Sequence, residues 1–371
     1  MGSGRTGRKQ VKPRRIVLTG GGSAGHVTAN LALLPRLLAK RWEILYIGSV
    51  DGIEAQLLKG VAGVRYAGIA TGKLRRYVDW RNLTDPFNVL RGVGQAYGVI
   101  RRFRPDVVFS KGGFVSVPVV IGGRLNGVPV IIHESDLTPG LANRIALRFA
   151  TRMLTTFEQT AQGMADAKVE SVGAVVRPEV LQGDPRRGRT FCGFAGAKPV
   201  LLVMGGSLGS RRINEAVRTG LDRLLRTFDV VHLCGKGNLD PAADRKGYRQ
   251  FEYLQAELPD VLAAADLVVS RAGSNSIFEF LSLRKPMLLI PLSRQASRGD
   301  QIHNAEAFAK SGYAAVLAEE ALTPESLLQS LERLYAERGA YRQRMESYSA
   351  AGALQRVLDV IEATAGGPGG A

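Results

Sequence analysis

Residues 16–26 read IVLTGGGSAGH. Four residues suited to a buried strand run into three consecutive glycines, then a serine, an alanine, a fourth glycine and a histidine, and a helical pattern follows. A β-branched run that ends in glycines is how a strand turns sharply into a helix. The N–H groups at such a helix start are left to meet an oxyanion. Gly20, Gly22 and Gly25 also satisfy the G-x-G-x-x-G spacing used for nucleotide phosphates. The device returns at residues 200–209, VLLVMGGSLG, again ahead of a helical pattern. Using it twice predicts two domains of the same α/β kind.

The pattern outward from each loop agrees. Short Val- and Ile-rich runs at 16–19, 44–47, 107–110 and 128–133 alternate with helical stretches such as 30–40 and 86–102. A second series, 200–204, 230–234, 267–270 and 287–290, does the same. Strand–helix alternation of this kind predicts parallel, doubly wound sheets, here two Rossmann-like domains whose loop ends face a cleft. The expected limits are a disordered basic arm at 1–15, an N-terminal domain at 16–180 and a C-terminal domain at 181–349. A helix at 350–365, packing back on the first domain, and a disordered tail at 366–371 complete the reading. The Pro-, Arg- and Gly-rich stretch 177–196 reads as the linker.

The chain has 371 residues and a formal charge of +17, and that charge is lopsided. Residues 1–180 carry 26 Lys/Arg against 12 Asp/Glu, whereas residues 181–371 carry 24 against 21. The first half therefore expects an anionic partner: nucleic acid, acidic lipid or a phosphorylated substrate. Only two cysteines, Cys192 and Cys234, and no signal-like segment fit a reducing cytosol. No apolar run approaches the roughly 20 residues that span a bilayer.

Other loops carry chemistry. Lys111-Gly112-Gly113-Phe114 is a glycine turn at a strand end, and the run ending His133-Glu134-Ser135-Asp136 sets polar groups at the carboxyl edge of another strand. That edge is where open α/β sheets bind ligands. His26, directly after the first loop, can hydrogen-bond a substrate or act as general base. In the second half Glu279 follows the turn at Arg271–Gly273, where a carboxylate suits the two hydroxyls of a ribose. A dinucleotide-binding domain needs an acid about 20 residues past its first glycine. The first acid after the second strand here, Asp51, comes later, which weakens an NAD(P)-dependent oxidoreductase. A nucleic-acid-binding protein rests on charge alone, without a recognition motif.

Six segments taken together, VLTGGGSAGHV, FSKGGFVSVPVV, IIHESDLTPGLANRIA, LLVMGGSLGSRRINEAV, SRAGSNSIFEFL and LIPLSRQASRGDQIHNAEAF, resemble the MurG family of peptidoglycan N-acetylglucosaminyltransferases. The resemblance spans residues 17–308. It implies an inverting transferase of the two-domain GT-B fold, moving N-acetylglucosamine from UDP-N-acetylglucosamine to the 4-hydroxyl of undecaprenyl-diphosphate-linked N-acetylmuramoyl-pentapeptide. It assigns the acceptor and its diphosphate to Gly21, Gly22, His26, Gly112 and Gly113. It assigns the donor to Ser23, Gly25, Asn143, Arg177, Ser207, Glu279 and Gln301. His26 and Glu134 are its candidates for base or positioning. Departures are Ala29 for the usual proline, Ser23 for threonine, and Ala174-Val175 for Asn-Pro in the turn that carries Arg177. A glycolipid synthase using a UDP-hexose and diacylglycerol is the runner-up within the same fold.

Departing UDP accumulates negative charge. No Asp-x-Asp pair is present to hold a metal; the nearest analogue is Glu134-Ser135-Asp136, and His26, His133, His232 and His303 lack metal-ligand spacing. No cofactor is expected. Stabilisation would come from the N–H-rich helix start near Ser207 with Arg177. Segment 73–104 interleaves basic residues with aromatics. Arg75, Arg76, Tyr77, Trp80 and Phe87 are its expected contacts with anionic lipid. The enzyme would then sit peripherally on the cytoplasmic face of the bacterial membrane and take no nucleic acid.

Overall fold

The computed structural model describes residues 13–22, 24–72, 81–164, 166–206, 208–295 and 297–367. Its first sheet holds seven strands: β1 (Arg15–Thr19), β2 (Glu43–Ser49), β3 (Val64–Ile69), β4 (Val107–Ser110), β5 (Val130–Glu134), β6 (Arg152–Thr155) and β7 (Val169–Ser171). The second holds six: β8 (Val200–Met204), β9 (Asp229–Leu233), β10 (Tyr248–Phe251), β11 (Leu267–Ser270), β12 (Met287–Leu289) and β13 (Ala314–Val316). The strand orders are β3-β2-β1-β4-β5-β6-β7 and β10-β9-β8-β11-β12-β13. In both sheets the first strand in sequence pairs in parallel with the second on one side and the fourth on the other. Order reverses there, and chains leaving the two central strands diverge to opposite faces. The crevice so opened lies at the glycine loops.

Why these segments are strands follows from burial on both sides. Ile16, Val17 and Leu18 are wholly buried, so β1 reads as an unbroken apolar run rather than an alternation. In the second sheet alternate residues feed two cores: Val200 and Leu202 join one cluster, Leu201 and Val203 the other. Each such side chain contributes about 1.5–3 kcal/mol on burial.

By contacts the chain divides into two compact units. Residues through His133, Leu141–Met153 and those from Leu358 onward form one; Glu134–Gly140 and Leu154–Val357 form the other. The division falls earlier than the 180/181 limit expected from composition, because Phe157, Ala174, Val176 and Val180 lie in a core of the second unit. The expected linker is also part of that core. Residues Pro185–Cys192 form a helix capped by Asp184, whose side chain accepts from Arg186 N and Arg187 N, and Cys192 and Phe194 are buried. The last helix is Ala353–Ala365, and in the first unit its Glu362 pairs with Lys40 of helix Ala24–Ala39. The basic arm and the tail lie almost wholly outside the described residues, which begin at 13 and end at 367. Among the described residues no helix is long and apolar enough to cross a membrane.

Candidate active site

In the first unit, Thr19 and Gly20 end β1 with their carbonyls tied inward: Asn30 Nδ2 donates to Thr19 O at 3.0 Å and Tyr46 OH donates to Gly20 O at 2.5 Å. His26 lies 3.0 Å by Nδ1 from Gly21 O. A carbonyl only accepts, so Nδ1 carries the proton, and the neutral ring then has its basic lone pair on Nε2. The turn after β4 closes on this loop. A Cβ on Gly113, at φ 82°, would stand 2.2 Å from Gly21 O and 2.9 Å from His26 Nδ1. A Cβ on Gly112 would stand 3.0 Å from Asn143 Nδ2, and Asn143 itself donates to His133 O at 3.2 Å. Gly21, His26, Gly112, Gly113 and Asn143 are therefore one cluster. Gly22 is exposed beside it and Gly25 half-buried.

Two features of this cluster escaped the sequence. Lys111, 2% exposed, donates from Nζ to His133 Nδ1. Burial, followed by the neighbouring ammonium, holds His133 well below its ordinary range, so the imidazole is neutral. Glu54 is fully buried, its Oε1 accepting from Ser49 N at 2.8 Å and Ser49 Oγ at 2.5 Å. A Cβ on Gly21 would meet that carboxyl at 2.7 Å. Glu54, on helix Ile53–Leu58, thus turns its carboxylate back onto the end of β2 and is buried there.

The second unit repeats the loop with different support. After β8, a Cβ on Gly209 would lie 1.8 Å from Cys234 O. Ser210 then caps helix Arg211–Thr219, its Oγ accepting from Ile213 N at 3.4 Å. Arg271, at the end of β11, donates to Ser210 Oγ at 2.7 Å, to Ile290 O at 3.1 Å and to Pro291 O at 3.3 Å, and it pairs with Glu319. Glu319 also accepts from Ser293 N at 3.2 Å. Burial alone would raise the Glu319 carboxyl; the Arg271 hydrogen bond and charge outweigh it and hold it below the usual range. One buried ion pair thus ties four strand-end loops together, a role not evident from the sequence.

Arg177 and Glu279 meet as a fork. Nε donates to Oε1 at 2.7 Å and Nη2 to Oε2 at 3.0 Å, with side chains 25% and 11% exposed. Burial would lower the guanidinium, but the bond to Glu279 outweighs it and raises it above its ordinary value. The Ala174-Val175 departure therefore leaves Arg177 seated: Ala174 and Val176 are buried and Gly173 turns the chain at φ 79°. Gln301 Oε1 accepts from Leu292 N at 3.2 Å. Glu134, grouped with this unit, accepts from Ser135 N, Asp136 N and Gly140 N at 2.8, 3.0 and 3.0 Å. Buried Asn304 receives Leu137 N at 2.9 Å and donates to Asp136 at 2.8 Å. Ser23, Ser207, Arg75, Arg76, Tyr77 and Trp80 lie outside the described residues; Phe87 is 73% exposed. No grouping of His, Cys, Asp or Glu among the described residues could hold a metal ion.

Two doubly wound parallel sheets, each with its glycine loop at the switch point, define the GT-B class of glycosyltransferase fold. Residues 16–155 match the glycosyltransferase family 28 N-terminal domain and residues 200–362 the family 28 C-terminal domain. Proteins of Geobacillus kaustophilus and Geobacillus thermodenitrificans are 59% and 58% identical, each over 95% of this chain and 99% of their own length. Both are named UDP-N-acetylglucosamine–N-acetylmuramyl-(pentapeptide) pyrophosphoryl-undecaprenol N-acetylglucosamine transferase. The crystal structure of Acinetobacter baumannii MurG superposes with a TM-score of 0.73 at 24% identity, covering 95% of this chain and all of that one. The calicheamicin glycosyltransferase CalG4 gives 0.71 at 18%, covering 96% and 99%. At these identities the two structures speak for the fold alone. The chain belongs to glycosyltransferase family 28 and, within it, to the MurG family.

Proposed function

We propose that this chain transfers N-acetylglucosamine from UDP-N-acetylglucosamine to the 4-hydroxyl of N-acetylmuramoyl-pentapeptide carried on undecaprenyl diphosphate. The products are the β-1,4-linked disaccharide lipid (lipid II) and UDP. The observation that carries this is 59% identity over 95% of the chain to a protein named for that transfer. In the test, UDP release is followed with UDP-N-acetylglucosamine, UDP-glucose and UDP-galactose, with and without the lipid-linked acceptor. UDP-N-acetylglucosamine turnover that needs the acceptor is expected; a preference for a UDP-hexose, or acceptor-independent release, contradicts the reading.

The first unit takes the acceptor, and the second carries most of the donor residues. The acceptor O4 attacks the anomeric carbon as the C1–O bond to UDP breaks, and its proton passes to a base. His26 is that base, its ring oriented by the Nδ1 hydrogen bond to Gly21 O. Glu134 is a positioning residue, since both its oxygens are engaged by backbone N–H groups of its own loop. Gly21, Gly22, Gly112 and Gly113 bring backbone close to the acceptor diphosphate. Ser23, Gly25, Asn143 and Gln301 serve the donor, with Asn143 and Gln301 at the transferred sugar. Glu279 takes the ribose, and Arg177, with Ser207 at the second glycine loop, takes the diphosphate. The helix start after Ser210 and the Arg177 cation replace a divalent ion at the leaving group. Activity is therefore expected to survive EDTA; loss with restoration by magnesium contradicts this. The enzyme works peripherally at the cytoplasmic face of the membrane on anionic lipid and binds no nucleic acid. Phe87 and Leu90, 73% and 69% exposed on helix Arg81–Phe103, support contact with lipid, as do Arg75, Arg76, Tyr77 and Trp80 by their composition.

A further inference from the structure

The Arg177–Glu279 fork sits where two separate ligand groups are expected. A side-on fork places two N–H groups against the two facing lone pairs of a carboxylate, here at 2.7 and 3.0 Å. A vicinal diol chelates a carboxylate over that same edge, one O–H to each oxygen. Both ligands cannot use it together. The reading rests on the assignment above of Glu279 to the ribose and Arg177 to the diphosphate.

We propose that Arg177 is a specificity-determining competitor for Glu279: the ribose cis-diol displaces it, and the released guanidinium then seats on the diphosphate. Two charge-assisted bonds are given up and two O–H bonds to Glu279 replace them, so the nucleoside alone regains little. UDP completes the exchange, because its diphosphate supplies the anion the guanidinium has lost. Ribose and diphosphate are thereby recognised as one unit, and a ligand offering only one hydroxyl cannot dislodge the fork cleanly. Geometry favours release of Arg177 rather than of Glu279. The arginine is the more exposed partner, at 25% against 11%, and follows a turn. The glutamate is fixed within helix Ser274–Ser282, between the core side chains of Phe278 and Phe280.

The test compares binding of uridine, UDP and 2′-deoxy-UDP to the full chain by calorimetry, in wild type, Arg177→Ala, Arg177→Lys and Arg177→Ala combined with Glu279→Gln. Removing the competitor should tighten uridine about fivefold while weakening UDP about tenfold, opposite signs for one substitution. The preference for UDP over 2′-deoxy-UDP should shrink by about threefold or more in Arg177→Ala. Lysine cannot form the fork, so Arg177→Lys should bind uridine as Arg177→Ala does and regain part of the UDP affinity. If uridine and UDP weaken together in both arginine variants, Arg177 supports Glu279 and the competition is refuted. If adding Glu279→Gln to Arg177→Ala leaves uridine affinity unchanged, the ribose assignment itself fails. That outcome is separate from the first, because the competitor is already absent from both proteins compared.

Discussion

The two glycine loops begin with the same signal and share close packing, but they differ in what else completes them. The loop after β1 is walled by close packing: Gly21 lies on the Glu54 carboxyl, Gly22 faces Phe114, and Gly113 abuts Gly21 O and the His26 ring. In the loop after β8, Gly205 and Gly209 are packed as closely, against Ser210 N and Cys234 O, but Gly206 has nothing near its missing Cβ, and the Arg271–Glu319 pair holds the loop through Ser210. The proposed acceptor side thus combines steric walls with one histidine, and the proposed donor side adds arginines paired to carboxylates.

That contrast can be broken in order of expected size. His26→Ala should lower kcat by about 10²–10⁴-fold while leaving the melting temperature near wild type. Loss of the fall in kcat on the acid side, where a base is protonated, would mark a base, and an unchanged pH profile would mark a positioning role. Next is Arg271→Met, which leaves the Glu319 carboxylate buried without its cation and should cost about 3–5 kcal/mol in urea unfolding. Adding Glu319→Gln should return part of that loss. The third pits one loop against the other. Gly113→Ala forces a methyl to within 2.2 Å of a backbone oxygen, whereas Gly206→Ala meets open space and carries only the strain of its φ of 94°. The first should cost about 1–3 kcal/mol more than the second, read as Tm and kcat/KM together. Equal effects would erase the distinction between a walled glycine and an open one.

The smallest expected effect concerns the histidines beneath the two sheets' ligand edges. His232 accepts from Tyr248 OH at Nδ1 and donates from Nε2 to Asn214 Oδ1, at 2.8 and 3.0 Å, and burial with the nearby Arg218 cation pushes it down to about 3. Between pH 6.5 and that value the unfolded chain binds a proton that the folded chain refuses. Stability conferred by His232 is therefore complete above pH 6.5 and falls on acidification, by about 1.4 kcal/mol per pH unit. Measured by urea titration from pH 7 to 5, His232→Gln should flatten this slope; an unaltered slope would place the acid sensitivity elsewhere.

Much of the architecture was legible because both sheets are buried on both faces, so that β1, β4, β8 and β11 appear as uninterrupted apolar runs. The strands that escaped notice, such as β3 and β7, are half-exposed and mixed in composition. The domain limit was misplaced for a related reason. Arginines and glycines at 177–196 resemble a linker, yet Val180, Cys192 and Phe194 anchor the segment in a core. His26, Glu279 and Gly113 are candidates in the sequence because they stand in or beside glycine turns. Glu54, Glu319 and Asn304 are not, because each acts on a loop distant in sequence, through contacts that only the fold brings about.

Following the sugar itself decides whether this chain makes the disaccharide lipid. Radiolabelled N-acetylglucosamine supplied as UDP-N-acetylglucosamine, with undecaprenyl-diphosphate-linked muramoyl-pentapeptide in detergent, should pass into the butanol-soluble lipid in step with UDP release. The labelled disaccharide should carry a β-1,4 linkage. Label that remains in the aqueous phase while UDP accumulates, or that enters lipid without the muramoyl acceptor, would contradict the account.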